Sequence, residues 1–422
     1  MEHSTPHDGI LQTVHDERTL TLADLIKHNH ATYGLLYSNI MHNHTQHILI
    51  ASYLLGSDTG TLKLLYEAET AHADLVPWGN RQTGRIHTED DLFAHLGDLA
   101  YERDFVDYFE KELERHGGWR EALRYHLFDS QKPLLTSLVG GFAHPWLMLA
   151  DAVELGSGIL AMDALALVAV DYSLLSRLLD VPLSEASPDS VTTVASLLDT
   201  VRTDTAFDGI IQHIGIQSVG AMLADQGAHA AILRYLQQFA HIYSFHKRED
   251  DLDSLLSQFV DLALGLIAAT SVLDEPPAFD FFLAHILSFC NCVRTLLPVV
   301  DGDGENQAML FRMLWLMTLL PFITQQRPTI SPELIDCEER ALSWMDTQTV
   351  MVDGQDERVR DPHFVKIVQL LLTVPKYWPA LDGKALRVAN KTLRSFAGWR
   401  GFGADGEAPL NTKEYRNSVG KK

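Results

Sequence analysis

The sequence predicts an all-α fold, organised as one large multi-helix domain with a buried, histidine-lined pocket. Three observations carry this. Apolar residues recur at spacings of three and four through most of the chain. Strict polar–apolar alternation over five or more residues is almost absent, and no Asn-Gly or Asp-Gly pair joins two alternating runs. Hydrophobic residues make up 46% and charged residues 21%, the balance of a globular protein.

The elements follow in order. A helix starts in the histidine-rich run 42–47 and stops at Gly56, and an irregular stretch with Pro77, Gly79 and Gly84 covers 76–88. Helical periodicity then runs over 92–113, 131–154, 158–180, 229–246, 251–273, 278–298, 305–324 and 361–374. Breaks fall at Gly117-Gly118, 182–190, Pro276-Pro277 and 301–304. No repeat of about 34 or 40 residues is present, which excludes the common helical solenoids. Residues 1–30 read as a polar N-terminal segment, 31–398 as the all-α domain with a weak division near 181–205, and 399–422 as a Gly-rich polar tail, extended or mobile.

Charge narrows the function classes. With 33 Lys plus Arg against 56 Asp plus Glu, the net charge of −23 argues against nucleic acid and anionic membrane surfaces, which both reward clustered cations. The apolar run 155–179 carries Asp163, Asp171 and Arg177, and 308–323 carries Arg312, so both read as buried helices, not membrane spans. Three cysteines, Cys290, Cys292 and Cys337, build no disulfide framework, and the first ten residues lack a signal-peptide pattern. The expectation is a cytoplasmic protein.

Some motifs suggest chemistry and have a plainer explanation. Gly401, Gly403 and Gly406 spell GxGxxG, but the dinucleotide fingerprint works between a strand and a helix, and here it follows a helix at the end of a helical chain. Glu69 and His72 form one ExxH without the second copy a di-iron bundle needs, so a solvated helix face is expected there. Asp250, Asp251 and Asp253 resemble a magnesium-binding acid cluster of helical cyclases, although first-turn acids serving a helix dipole explain them better.

The histidines stand out: twenty in 422 residues, several in apolar surroundings. His42, His44 and His47 lie in one run, and the last two share a helix face. His144 follows two glycines and precedes Pro145, His285 sits in FDFFLAHILSF, and His363 lies three residues before Lys366 in a helix opened by Asp361 and Pro362. A lone histidine on an apolar face is most often a satisfied core residue, yet each of these needs a hydrogen-bond partner or a metal. A buried unpaired Lys366 would lose its proton, and a neutral lysine can act as a base or take up carbon dioxide to become an anionic ligand. Imidazoles with such an oxygen ligand suit divalent iron.

Five blocks, HNHTQHILIASYLLG at 42–56, GGFAHPWLMLADAVELGS at 140–157, DFFLAHILS at 280–288, LFRMLWLMTLLPFITQQRP at 310–328 and DPHFVKIVQLL at 361–371, resemble the questin oxidase-like family of fungal polyketide pathways. The resemblance implies a helical oxygenase that opens the central ring of anthraquinones, by Baeyer–Villiger-type insertion or direct cleavage. It implies no flavin or nicotinamide fold, and leaves open whether NADPH serves to reduce the substrate. Two arrangements are compatible with it. In one, His44, His144, His285, His363 and a carbamylated Lys366 hold non-haem iron. In the other there is no cofactor, and a hydroquinone anion activates dioxygen itself. His47 is the candidate base for a phenolic proton, and without iron His44 and His285 would act with it by stabilising peroxide. Phe142, Trp146, Phe281 and Phe282 would line a flat pocket for a small aromatic polyketide. The chain departs from the family pattern at Asp151 and at Leu314 and Leu316, which bears on the substrate and the metal. The rival from another class is a non-catalytic helical binding protein whose histidines only satisfy core hydrogen bonds.

Overall fold

The computed structural model describes residues 9–37, 41–79, 83–180, 193–211, 214–248, 251–270, 279–300, 302–330, 335, 342–352 and 356–402. Among these, thirteen helices have ten or more residues: α1 (Glu17–Thr32), α2 (Thr45–Leu55), α3 (Thr59–Thr70), α4 (Glu102–Arg115), α5 (His144–Leu155), α6 (Gly158–Val170), α7 (Val194–Thr203), α8 (Gln226–Arg248), α9 (Leu252–Thr270), α10 (Phe281–Leu296), α11 (Gly304–Thr324), α12 (Pro362–Tyr377) and α13 (Asp382–Ser395). The strands are two residues long. β1 (Leu36–Tyr37) pairs antiparallel with β2 (Met41–His42), and β3 (Phe279–Asp280) pairs parallel with β4 (Trp399–Arg400). The fold is all-α.

The chain forms two compact units. One comprises Met1–Arg177, Thr295–Asn306 and Val350–Lys366, the other Leu178–Arg294, Gln307–Thr349 and Ile367–Lys422. The first unit is organised around α6, whose residues from Leu160 to Val170 are all buried, and α4 and α5 pack against it. A helix apolar on every side belongs inside a protein. Its one charged residue, Asp163, is therefore held by partners: Oδ1 accepts from His30 Nδ1 at 2.7 Å, and Oδ2 accepts from Gln46 Nε2 at 2.9 Å. The other nitrogen of His30 donates to Glu110 at 2.7 Å, so the ring is an imidazolium between two carboxylates. The charge of Asp163, against the opposing effect of burial, pushes the His30 pKa up to about 10. In the second unit Trp315 of α11 stacks on Phe239 of α8 at 5.5 Å and donates its indole N–H to the Tyr235 carbonyl at 3.0 Å. Leu314 and Leu316 flank it in that core.

Several boundaries differ from the periodicity for local reasons. The helix expected over 131–154 begins only at His144, because Gly141, Phe142 and Ala143 all have positive φ. Gly140 and Gly141 run directly against Asp171: an added Cβ would lie 2.1 Å from its carbonyl oxygen and 2.2 Å from its carboxylate, respectively. The helix expected over 158–180 stops at Val170, and the turn Leu174–Asp180 leaves it at 93°. The 92–113 segment breaks at Gly97, which also has positive φ.

The minor motifs also find their places. Glu69 is buried, not solvated as its surroundings in sequence suggest, and accepts a hydrogen bond from the Tyr37 hydroxyl at 3.1 Å. Asp251 accepts from the Ser254 amide and caps α9, the helix-dipole role; Asp250 lies outside the described residues. Gly401 follows β4, and Gly403 and Gly406 lie outside the described residues, as does Cys337. Cys290 and Cys292 are buried. By length and composition Leu252–Thr270, Phe281–Val300 and Gly304–Thr324 could cross a membrane, and between 67% and 78% of their most apolar stretches is buried inside the protein.

Two outcomes follow from these contacts. The folded pKa of His30 lies above its unfolded value of 6.5, so its stabilisation is complete below pH 6.5 and is lost as pH rises through about 10. The stability difference between the wild type and His30→Gln, measured by urea denaturation, should therefore shrink across that window; a gap independent of pH contradicts the imidazolium assignment. Gly141→Ala should destabilise by about 1–3 kcal/mol, since the new methyl must displace Asp171 in a left-handed backbone. An unchanged denaturation midpoint would show that the loop can move.

Candidate functional site

Four segments of the first unit bring the site together. Glu102, itself buried, accepts from the amides of Leu35 and Leu36 at 2.7 and 3.2 Å and fixes the β1–β2 hairpin. Just after β2, Asn43 accepts from the Thr45 amide at 3.0 Å, which starts α2 and leaves His44 as its N-cap residue. His47 thus falls in the first turn. The left-handed turn at 141–143 delivers His144 as the first residue of α5, and Asp151 follows two turns later on the same side. Non-glycine residues such as Phe142 and Ala143 persist in this backbone region only where the surroundings enforce it. Finally Asp361 accepts from the amides of His363 and Phe364 at 2.9 and 3.1 Å, starting α12 and placing His363 and Lys366 one turn apart.

These segments create two adjoining groups. In the first, His44 Nε2 lies 3.1 Å from His144 Nε2, and the His44 and His363 rings are 4.5 Å apart. His144 Nδ1 donates to the Gly141 carbonyl at 2.8 Å, which fixes the tautomer and leaves Nε2 as the lone pair. The same ring stacks at 3.9 Å on His42, whose Nε2 donates to Asp171 at 2.7 Å. One nitrogen each from His44, His144 and His363 lie within 4.8 Å of one another, a set of donors that can hold a divalent cation.

The second group is His47, Asp151 and Lys366. His47 Nδ1 donates to Asp151 Oδ2 at 2.8 Å, and Lys366 Nζ donates to Oδ1 at 2.7 Å. Asp151 is 1% exposed. Burial alone would raise its pKa, but the Lys366 charge and the His47 hydrogen bond outweigh that and hold the carboxyl below its usual range. Lys366 therefore faces a buried anion, and a carbamate on its nitrogen would set a second negative charge against Asp151. With Nδ1 committed as a donor, His47 Nε2 is its basic nitrogen. The His47 ring lies 6.0 Å from that of His44 and 6.4 Å from that of His144.

The remaining expected site residues are distributed as follows. Phe142 lies in the strained turn, and Trp146 is fully buried one turn into α5. His285, Phe281 and Phe282 belong to the second unit. There His285 Nδ1 donates to the Phe281 carbonyl at 2.6 Å, and Phe282 packs against Phe281 at 5.2 Å. Sequence reasoning did not find the pairing of His42 with Asp171 or of His47 with Asp151. The partners are 129 and 104 residues apart, so no local spacing could signal them.

A family model described as questin oxidase-like matches residues 41–371, a span that includes both groups. The oxidoreductase AflY of Aspergillus parasiticus is 21% identical over 396 residues, covering 88% of this chain and 78% of the relative. The questin oxidase of Aspergillus terreus is 21% identical over 271 residues, covering 63% and 60% of the two chains. That of Aspergillus fumigatus is 23% identical over 154 residues, 36% of this chain and 35% of the relative. These relatives support an oxidoreductase, and with a match running from the hairpin that carries His42 to the helix that carries Lys366, this chain belongs to the questin oxidase-like family.

Proposed function

We propose that this chain is an oxygenase that opens the central ring of an anthraquinone, taken as its hydroquinone, by Baeyer–Villiger-type oxygen insertion. The observation that carries the proposal is the buried His47–Asp151–Lys366 group adjoining three clustered imidazoles. Family membership and relatives named questin oxidase supply the substrate class.

Proton removal falls to His47. Its Nε2 takes a phenolic proton while Asp151 keeps the other nitrogen protonated and steadies the imidazolium that forms. Lys366 keeps Asp151 ionised throughout. The resulting hydroquinone anion is electron-rich, and two of its electrons reduce dioxygen to peroxide as it becomes the quinone. Peroxide adds to a ring carbonyl; the aryl carbon migrates to oxygen as the O–O bond breaks, giving a lactone and water. Hydrolysis of the lactone gives a benzophenone acid. With His144 Nε2 an acceptor, the N–H donor of this pair is His44 Nε2, which can turn from His144 to a developing oxyanion.

A metal-dependent form of this reading rests on the donor set. His44, His144 and His363 would hold divalent iron, with Lys366 left to Asp151. When bound, iron would supply a redox-active centre for dioxygen. The protein's part is unchanged: the Gly141 carbonyl and the His42 ring orient His144, and Asp361 anchors the turn that carries His363.

His47→Gln should lower oxygen uptake with a chemically reduced anthraquinone by about 10²–10⁴-fold. Asp151→Asn should lower it by at least about 10²-fold, because an amide can donate to Nδ1 and favours the wrong tautomer. Uptake at wild-type rates in both variants would remove the base from the mechanism. Metal analysis of protein prepared without chelator or nickel resin tests the metal-dependent form. Near-stoichiometric iron, with activity lost on chelation and restored by ferrous iron, is the expected result; metal-free protein that turns over at full rate would leave the imidazoles as hydrogen-bond donors.

A further inference from the structure

A second cluster of donors lies elsewhere in the first unit and takes no part in the chemistry above. Glu112 and His116 sit four residues apart at the end of α4, on one helix face. His126 comes from the turn Tyr125–Asp129, a π-helical turn directly after the short helix Trp119–Arg124. Such turns are rare and are frequent at functional sites. Both His116 Nε2 and His126 Nε2 converge on the same oxygen, Glu112 Oε2, at 3.2 and 3.0 Å. The other oxygen, Oε1, is held by Arg115. One donor atom from each of Glu112, His116 and His126 lie within 4.8 Å of one another.

We infer that Glu112, His116 and His126 form a binding site for a divalent cation of the zinc class, separate from the histidines near Asp151. Two imidazoles and one carboxylate are the ligand set of many three-residue zinc sites, which leave a fourth position to water. At metal–ligand bonds of about 2.0–2.2 Å, tetrahedral donors lie roughly 3.3–3.5 Å apart, so each imidazole nitrogen need move only a few tenths of an ångström from Oε2, while the two nitrogens already lie within 4.8 Å of each other. The cation replaces the two imidazole protons that now bridge to Oε2. Arg115 leaves Oε2 as the single carboxylate ligand and neutralises its partner oxygen, which is how an outer group tunes a ligating carboxylate.

The rings are already aligned. Tyr125 lies against His116 at 4.5 Å, and Tyr108 and Phe109 pack edge-on against His126 at 6.0 and 5.1 Å. The His116 side chain is 21% exposed, while those of Glu112 and His126 are 2% and 1% exposed, so His116 is the side from which cation and water enter. Bound there, the cation ties the C-terminal turn of α4 to the π-helical turn, adding metal–ligand bonds to the ring contacts and the shared carboxylate oxygen that already join them.

Zinc titration of the full chain tests this, with the His363→Ala protein as background so that the other histidine group does not obscure the count. Zinc should bind at one equivalent and raise the melting temperature in that background. Adding His116→Ala, the most exposed of the three ligands, should weaken binding at least about tenfold and abolish the thermal gain. Binding and stabilisation that are identical with and without His116 would overturn the proposal, as would a background protein that takes up no zinc. Anomalous scattering at the zinc edge from soaked wild-type crystals gives a check that needs no variant: density between His116, His126 and Glu112 is expected, and zinc found only at other positions refutes the site.

Discussion

A carboxylate taken out of water must be paired or it will not stay ionised, and the first unit of this protein is built around that constraint. Asp151, Asp163, Glu102 and Glu112 are each almost fully buried. Asp163 is held by His30 and Gln46, Asp151 by His47 and Lys366, Glu112 by His116, His126 and Arg115, and Glu102 by two backbone amides of the β1–β2 hairpin. The half-buried Asp171 is held by His42. All of these acids but Glu112 link segments distant in sequence, so the polar network and the tertiary fold are one arrangement. Removing one partner of such a pair leaves an uncompensated charge, which is far more disruptive than losing an exposed ion pair.

The same constraint makes the site rigid. His144 is fixed two ways: its nitrogen donates to Gly141, and its ring stacks on His42, which is itself anchored by Asp171. Asp171 in turn packs against the left-handed turn that starts α5, and only glycine fits at Gly140 and Gly141. The strain at Phe142 and Ala143 is sustained by this enclosure, and a site whose supporting residues are locked holds its reacting groups in a narrow range of geometry. Asp151 is the centre of the second group. An aromatic residue or histidine there could not hold both His47 and the Lys366 ammonium as one buried carboxylate does.

The helical fold was legible in the sequence because periodicity of three and four is a local property, and so were the starts of α2 and α12, with a short polar side chain just ahead of each. The histidines of the first group could be picked out as a set from their apolar surroundings and from the family blocks. What the sequence left hidden was the acid partners. Asp151, Asp163 and Asp171 sit in apolar helices where each reads as an interruption, and their histidines come from the N-terminal third of the chain. The boundaries at 140–143 and 170–174 were hidden for a related reason. They are set by contact of the two glycines with Asp171, a tertiary contact that local propensity does not encode. Glu69 misleads in the same way, since its partner Tyr37 comes from the hairpin.

The second partner of each imidazole sorts the histidines by what they can do. An imidazole whose N–H points to a backbone carbonyl presents its other nitrogen as an acceptor, the arrangement a metal or a hydrogen-bond donor requires; His144 and His285 are of this kind. An imidazole whose N–H points to a carboxylate also presents its other nitrogen as an acceptor, and the carboxylate steadies the cation formed when that nitrogen takes a proton. His47 is of this kind in the site, His42 beside it, and His30 in the core shows the limit, with a carboxylate on each nitrogen and no lone pair left for chemistry. The division of labour between binding and proton transfer is therefore written in the partners and not in the histidines themselves. Changing Asp151 to its neutral isostere tests the proton-transfer role with every ring kept. Because it also removes the anion facing Lys366, comparison with His47→Gln, which leaves that ion pair intact, separates the two effects.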